Sequence, residues 1–176
     1  MIFEAAAIPG VFLVRTEPVR DARGSFARLH CPAEFAAAGI PFEPAQTSLS
    51  HNRAAGTLRG MHYQAAPMTE TKLVRVVRGA AFDVVVDLRP DSPTHRRWAG
   101  FELTADNGAA VFIPEGIAHG FITLEPDTDV LYQIAPAYTP GHERGVRWDD
   151  PAFGIAWPRR PEVISERDAA YPDYPG

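Results

Sequence analysis

The sequence predicts an all-β fold, an antiparallel sandwich or barrel with a few short helices at its periphery. Short runs rich in β-branched and aromatic residues, bounded by turn residues, recur along the chain, as they do in such folds. Proline occurs 17 times, about twice its usual frequency of ~5%, which leaves little room for long helices. The chain contains no internal repeat, low-complexity tract or long linker, so we expect residues 1–176 to form one domain.

Each predicted element follows from a local pattern of side chains. The β-branched and aromatic runs predict six strands, at residues 11–15, 73–77, 82–88, 101–103, 110–113 and 130–134. A proline in the first turn and Gly39 just past the end predict a helix over 32–38. A second short helix is predicted to begin after Ser165, whose hydroxyl can cap its first turn.

Alternation along the strands assigns side chains to the two faces of a sheet. In 82–88, Asp83 and Asp87 fall on the face opposite the large apolar residues, and we expect both carboxylates to be solvated. Lys72 and Tyr132 each share a face with β-branched residues of their own strand. These two polar side chains are therefore candidates to point into a barrel interior.

Charge and hydropathy exclude several classes of partner. The net charge of −5 argues against a nucleic-acid or anionic-membrane partner. No apolar run reaches 18 residues, and the first ten residues lack the basic lead of a secretory signal. The single cysteine, Cys31, fits a reducing compartment, so we expect a cytoplasmic protein.

One basic residue stands apart from the others. Of the 17 basic residues, sixteen are arginine and only Lys72 is lysine. A guanidinium stays charged at any working pH, whereas a lysine ammonium is compact and its pKa moves on burial. Lys72 is therefore a candidate for chemistry.

Two segments match the pattern of the cupin barrel, a jelly roll also described as a double-stranded β-helix. They are the spaced set Gly56, His62, Gln64, Lys72 and Gly79, and the segment PEGIAH at 114–119. Metal-binding cupins place histidines and a glutamate at the corresponding positions, but this chain has Gln64 and Lys72 at two of them. Two imidazoles without a carboxylate bind a divalent cation poorly, and an ammonium repels it. We therefore expect neither a metal nor another cofactor.

Longer segments make a closer resemblance. They are DARG at 21–24 followed by Phe26, GTLRGMHYQ at 56–64, FDVVVDLR at 82–89, PEGIAHGF at 114–121, ERGVRWDDP at 143–151 and SERD at 165–168. In these segments, which span nearly the whole chain, the sequence resembles the dTDP-4-dehydrorhamnose 3,5-epimerase family. The resemblance implies epimerisation of dTDP-4-dehydro-6-deoxy-D-glucose at C3 and C5, which gives dTDP-4-dehydro-L-rhamnose.

The resemblance also implies a role for each catalytic candidate. His62, oriented by Asp168, would remove the proton alpha to the C4 ketone. Lys72 would stabilise the enolate, and Tyr132 would return a proton on the opposite face. We expect the Lys72 ammonium to lower the pKa of the Tyr132 phenol toward the working range. His119 is expected to line the sugar pocket.

The nucleotide end of the substrate requires further residues. The resemblance places Arg59 near the pyrophosphate, although strict alternation would put it opposite His62; glycines at 56 and 60 make alternation unreliable there. It implies that the other substrate-binding residues of the same chain are Gln46, Ser48, Tyr138 and Glu143. Arg23 and Phe26 are expected to reach the partner's pocket across the interface of a homodimer. The chain differs from the family pattern at Arg28, where a glutamate is usual, and at Ser48, where an asparagine is common.

Three other functions compete with this hypothesis. The first is epimerisation at C3 or C5 alone, on another nucleotide-linked 4-keto-6-deoxy sugar. The second is a nucleotide-sugar-binding cupin that has lost turnover, which the joint presence of His62, Lys72, Tyr132 and Asp168 disfavours. The third is a metal-dependent cupin oxygenase, which Gln64 and Lys72 disfavour.

Overall fold

A computed structural model describes residues 1–175 and is built almost entirely of β-strands. The strands are β1 (Ile2–Ala5), β2 (Phe12–Arg15), β3 (Val19–Asp21), β4 (Gly24–Phe26), β5 (Gln46–Asn52), β6 (Thr57–Gln64), β7 (Thr71–Arg78), β8 (Ala80–Asp87), β9 (Trp98–Thr104), β10 (Ala110–Ile113), β11 (Ile117–Thr123), β12 (Thr128–Ala135), β13 (Glu143–Gly145) and β14 (Val163–Ile164). The helices are α1 (Pro32–Ala37) and α2 (Glu166–Ala169). None of the described helices is long and apolar enough to cross a membrane.

The strands form two large sheets that enclose the main core. One sheet has the order β1-β2-β10-β7-β12-β5, and the other has the order β13-β6-β11-β8-β9, with β14 parallel to β6. Side chains from both sheets meet in the interior, among them Val76 and Val130 from the first and Val85 and Phe121 from the second. The predicted jelly roll with short peripheral helices is confirmed. Strands β3 and β4 form a separate hairpin outside these sheets.

All six predicted strands and both predicted helices are present, with most bounds shifted by one to three residues. The serine cap of the second helix is also present, since Asp168 N donates to Ser165 Oγ at 3.1 Å. The prediction omitted eight of the described strands, of which β5, β6 and β11 are the longest. The first is rich in polar residues, and the other two contain glycines at 60 and 120, so their local patterns do not favour a strand.

The expectation that Asp83 and Asp87 are solvated is wrong. Both carboxylates are buried, with 1% and 0% of each residue exposed. Strand β8 is covered on both faces, because its large apolar side chains pack under residues such as Val146 and Phe153 while the opposite face looks into the barrel. Asp83 is bonded to His119, and Asp87 accepts bonds from Arg89, Ser92 and Thr94. These partners replace the water lost by Asp87 and by Asp83 Oδ2, whereas Asp83 Oδ1 has no hydrogen-bond partner among the described residues.

Candidate active site

A cavity of about 640 Å³ opens between the two sheets. Strands β5, β7 and β12 of the first sheet line one side, and β6, β11 and β14 of the second line the other, next to α2. The residues predicted from the sequence that line it are Ser48, Arg59, His62, Lys72, His119, Tyr132 and Asp168. Long-range strand pairing therefore brings all four catalytic candidates to one cavity.

An irregularity in β6 brings Arg59 into the cavity beside His62. His119 of β11 pairs with His62, and Phe121 pairs with Arg59, so two steps on β11 correspond to three on β6. An extra residue in one strand reverses the alternation of side chains beyond it. Gly60 occupies the irregularity with φ of 133°, and a Cβ there would lie 2.5 Å from the α-carbon of Gly120. The extra residue in β6 therefore explains why Arg59 lies on the same side as His62, contrary to strict alternation.

His62 and Asp168 are in direct contact, as the resemblance implied. His62 Nε2 lies 2.7 Å from Asp168 Oδ1, and the backbone N–H of Gly60 donates to Asp168 Oδ2 at 3.2 Å. Burial opposes ionisation of Asp168, but the hydrogen bonds from His62 and Gly60 outweigh it and hold the pKa of this carboxyl below its usual value. The carboxylate fixes the imidazole in one orientation, while the ring itself remains partly open to the cavity.

Lys72 is paired with a carboxylate that the sequence analysis missed. Lys72 Nζ lies 2.8 Å from Glu70 Oε1, and Gln64 Nε2 donates to Glu70 Oε2 at 3.2 Å. All three side chains are buried. Glu70 lies two residues before Lys72, so alternation directs both side chains to the same face of the strand. This spacing could have identified Glu70 as a partner of Lys72. The pair leaves two of the three ammonium hydrogens of Lys72 for other acceptors.

A second histidine–carboxylate pair lies in the barrel, and it is more deeply buried than the pair of His62 and Asp168. His119 Nε2 is 2.8 Å from Asp83 Oδ2, and both side chains are almost completely buried. The His119 ring packs edge-on against Tyr132, with 5.9 Å between ring centroids. His119 therefore lines the cavity from a position that Asp83 fixes, and its contact with the sugar stays a prediction.

The expected lowering of the Tyr132 pKa is wrong. Burial raises the pKa of this phenol well above its usual value, the Asp83 carboxylate raises it further, and Arg59 offsets only part of the shift. The ammonium that was expected to lower it belongs to Lys72, which is ion-paired with Glu70. Tyr132 is therefore a neutral phenol, which can donate a proton or a hydrogen bond.

A smaller cavity of about 280 Å³ adjoins the first and shares five residues with it. The shared residues are Ser48, His62, Lys72, Tyr132 and Arg167. Gln46, Tyr138 and Glu143 are among the other residues that line it, so the four residues expected at the nucleotide lie at one cavity. Gln46 links two of them, since its Nε2 donates to Ser48 Oγ at 3.2 Å and its Oε1 accepts from Tyr138 N at 3.3 Å.

Arg167 is a further site residue that the sequence analysis did not select. It precedes Asp168 in α2 and lines both cavities. Its place inside the SERD segment was the available signal. Together with Arg59 it gives the walls two guanidinium groups, which suit the oxygens of a phosphate or diphosphate.

Arg23 and Phe26 do not lie in either cavity of their own chain. They lie on the β3–β4 hairpin, where the Arg23 side chain is 89% exposed and Phe26 is 80% exposed. The expectation that they reach a partner's pocket stays a prediction. Among residues 1–175, no three His, Cys, Asp or Glu side chains are grouped so as to hold a metal ion.

Comparisons with known proteins agree over almost the whole chain. Residues 5–175 match the family model described as dTDP-4-dehydrorhamnose 3,5-epimerase. The dTDP-4-dehydrorhamnose 3,5-epimerase of Sinorhizobium fredii is 41% identical over 173 residues, which are 98% of this chain and 89% of that protein.

Two solved structures show the same fold. One is dTDP-4-dehydrorhamnose 3,5-epimerase from Bacillus anthracis with TDP and PPi bound, with a TM-score of 0.95, 36% identity, and coverage of 98% of this chain and 99% of that one. The other is the epimerase from Legionella pneumophila in complex with dTDP-4-keto-L-rhamnose, with a TM-score of 0.91, 34% identity, and coverage of 97% and 90%.

Proposed function

This chain belongs to the dTDP-4-dehydrorhamnose 3,5-epimerase family, and we propose that it converts dTDP-4-dehydro-6-deoxy-D-glucose to dTDP-4-dehydro-L-rhamnose in the cavity described above. The observation that carries the proposal is the position of the proton-transfer groups. His62 comes from β6 of one sheet and is bonded to Asp168 of α2, while Lys72 and Tyr132 come from β7 and β12 of the facing sheet. Inversion at a carbon needs a base on one face and an acid on the other, and this cavity offers both.

The diphosphate and the nucleoside of the substrate are assigned to neighbouring parts of the two adjoining cavities. Arg59 and Arg167 lie on the cavity wall, and their guanidinium groups would grip the diphosphate oxygens. Arg59 is held in place because its Nε donates to Asn52 Oδ1 at 2.8 Å. The adjoining smaller cavity would hold the thymine, with Tyr138 stacking on the ring and Glu143 accepting from its N–H. The Bacillus anthracis relative was solved with TDP and PPi bound, which supports a thymidine nucleotide and a diphosphate as the ligand class of this family.

The first chemical step is removal of a proton from C3 or C5, the two carbons alpha to the C4 ketone. The neutral imidazole of His62 takes the proton, and the electron pair of the broken C–H bond moves to the ketone oxygen. Asp168 stabilises the imidazolium that forms, because its carboxylate already accepts a bond from the ring. General bases placed in this way contribute roughly 10²- to 10⁴-fold to a rate.

The enolate oxygen then needs a positive partner. Lys72 supplies a donor that is ion-paired with Glu70, and Glu70 is in turn held by a hydrogen bond from Gln64. A donor that is already oriented toward the developing oxyanion does not have to reorganise during the reaction, and this is the main source of electrostatic catalysis. Tyr132 gives its phenolic proton to the carbanion carbon on the face opposite His62. Exchange with solvent returns both groups to their starting protonation states.

The hairpin of β3 and β4 would complete the site of a second copy of the chain. Phe26, which pairs with Val19 at the open end of the hairpin, is 80% exposed, and Arg23 at the turn carries an exposed guanidinium that is bonded to Asp21. A homodimer in which Phe26 is buried at the interface and Arg23 contacts the nucleotide in the partner's site accounts for the exposure of both side chains in the single chain. Mixing Arg23→Ala subunits with His62→Ala subunits tests this, because a mixed dimer then has one intact site of two. In a random one-to-one mixture about half of the dimers are mixed, so the mixture should recover about a quarter of the wild-type activity. Recovery of no activity, with mixed dimers formed, would contradict it.

Deuterium incorporation tests the proposed reaction directly. The protein is incubated with dTDP-4-dehydro-6-deoxy-D-glucose in heavy water, and deuterium at C3 and C5 is counted by NMR or mass spectrometry. We expect incorporation at both carbons, and its loss in His62→Ala. Incorporation at one carbon would show a single-position epimerase, and tight binding without incorporation would show a binding protein. Full exchange in His62→Ala would remove His62 as the base.

A further inference from the structure

The chain beyond α2 returns to the active site and places an aromatic side chain against His62. The ring of Tyr171 meets the imidazole edge-on, with 6.2 Å between centroids and 70° between planes. This geometry is within the range of favourable aromatic pairs, which prefer edge-to-face contact at 4.5–7 Å. Asp168 fixes one nitrogen of the imidazole, and Tyr171 covers part of the ring itself.

The space that Tyr171 occupies exists because a glycine lies beneath it. A Cβ at Gly145 would fall 2.1 Å from the Tyr171 ring carbon Cζ. Gly145 is also the residue of β13 that pairs with His62 of β6. Tyr171 therefore packs on the backbone directly beside the proposed base.

The hydroxyl of Tyr171 reaches a second site residue. Arg167 Nε donates to Tyr171 Oη at 2.9 Å, and Arg167 lines both cavities. An arginine side chain has several rotatable bonds, and a hydrogen bond at its Nε restricts them. One tyrosine thus contacts the proposed base with its ring and a diphosphate-binding guanidinium with its hydroxyl.

Contacts further along the segment hold Tyr171 in place independently of α2. Arg147 Nη1 lies 2.6 Å from Asp173 Oδ1, and the Tyr174 N–H donates to Asp150 Oδ2 at 2.6 Å. The Tyr174 ring packs against Phe153 with 5.2 Å between centroids. The segment from Tyr171 to Tyr174 is therefore attached to residues 147–153, which follow β13.

We propose that Tyr171 is a positioning residue for this active site: its ring restricts the orientation of His62, and its hydroxyl holds Arg167 toward the diphosphate. The inference rests on the proposed function of His62 and Arg167. The two halves of the tyrosine act on different kinetic constants. Loss of the ring should affect proton abstraction and hence kcat, whereas loss of the hydroxyl should affect substrate binding and hence KM.

Two variants separate these effects. Tyr171→Phe keeps the ring, so kcat should stay within twofold of wild type while KM rises by about three- to tenfold. Tyr171→Leu removes the ring as well, so kcat should fall by about two- to tenfold in addition. Tyr174→Phe is the matched control, since it removes a hydroxyl from the same segment away from the cavities and should change neither constant.

The shift of the His62 ring protons in the NMR spectrum gives a readout that needs no turnover. Tyr171→Leu should move these resonances by removing the ring current of the tyrosine, while Tyr171→Phe should leave them close to wild type. Unchanged resonances and kcat in a folded Tyr171→Leu protein would overturn the inference, as would an equal loss of kcat in both variants. An inactive wild type would contradict the proposed function instead, and the NMR comparison would still decide the role of Tyr171.

Discussion

Lys72 Nζ and Glu70 Oε1 lie 2.8 Å apart in the interior of the barrel, so the lone lysine of this chain is held as an ion pair. Removing one member of a buried pair leaves the other charge uncompensated, at a cost of about 3–5 kcal/mol. We expect Glu70→Ala to lower the free energy of unfolding by about 3 kcal/mol. Glu70→Gln should cost less, because the amide oxygen can still accept from Lys72. Urea unfolding of the three proteins measures this, and equal stability of Glu70→Ala and wild type would contradict it.

Asp168 should contribute a stability that depends on pH. Its pKa is held below the usual value in the folded protein, so the unfolded chain binds a proton more readily. The contribution is therefore fully present above the unfolded pKa of about 3.9, and it is lost as the pH falls through the lower folded pKa. The Asp168→Asn variant has no ionisable carboxyl at this position, so it lacks this pH-dependent contribution to stability. We expect the difference in unfolding free energy between wild type and Asp168→Asn to shrink as the pH falls below about 4. A difference that grows toward acid would show the opposite sign of linkage.

Replacement of Tyr132 should separate proton exchange from inversion. The raised pKa keeps this phenol protonated through neutral and mildly alkaline pH, so it acts as a donor. Tyr132→Phe leaves His62 and Lys72 intact, and the substrate should still exchange its alpha proton with solvent. We expect formation of the inverted product to fall by about 10²-fold or more, and solvent exchange to fall much less. NMR analysis of substrate and product in heavy water measures both, and an unchanged yield of inverted product would exclude Tyr132 as the acid.

The irregularity in β6 should depend on Gly60. A residue with a side chain would have to adopt the same φ of 133° at this position, and its Cβ would lie 2.5 Å from the α-carbon of Gly120. That atom belongs to the backbone of β11, which cannot easily move aside. We expect Gly60→Ala to lower the free energy of unfolding by about 3 kcal/mol or more and to impair activity, because Arg59 and His62 lie on either side.

Gly39→Ala is the control for that substitution. Gly39 also has a positive φ, of 75°, but a Cβ there would meet no atom within 4 Å among residues 1–175 other than Gly39 itself and its two chain neighbours. It should therefore show only the conformational cost of about 1 kcal/mol. Thermal or urea unfolding compares the two variants, and equal costs would mean that the close approach to Gly120 is unimportant.

The sequence pattern predicted the strands of the fold better than the burial and pairing of its charged side chains. β-branched and aromatic runs identified strands such as β8 and β12, because side-chain alternation is a local property of the backbone. Strands β6 and β11, which carry His62 and His119, were not predicted as strands, because glycines interrupt their patterns. Their motif spacing nevertheless identified both histidines.

The sequence by itself determined the all-β class and, through its motifs, the family and the residues His62, Lys72, Tyr132 and Asp168. Tertiary structure decided which of these are paired and which are buried. Asp83 meets His119 across 36 positions of sequence, and Asp168 meets His62 across 106. A local pattern shows the direction of a side chain, but its electrostatic surroundings come from strands that are distant in the chain. For that reason the ion pair of Lys72, the raised pKa of Tyr132 and the position of Arg59 beside His62 became apparent only in the folded barrel.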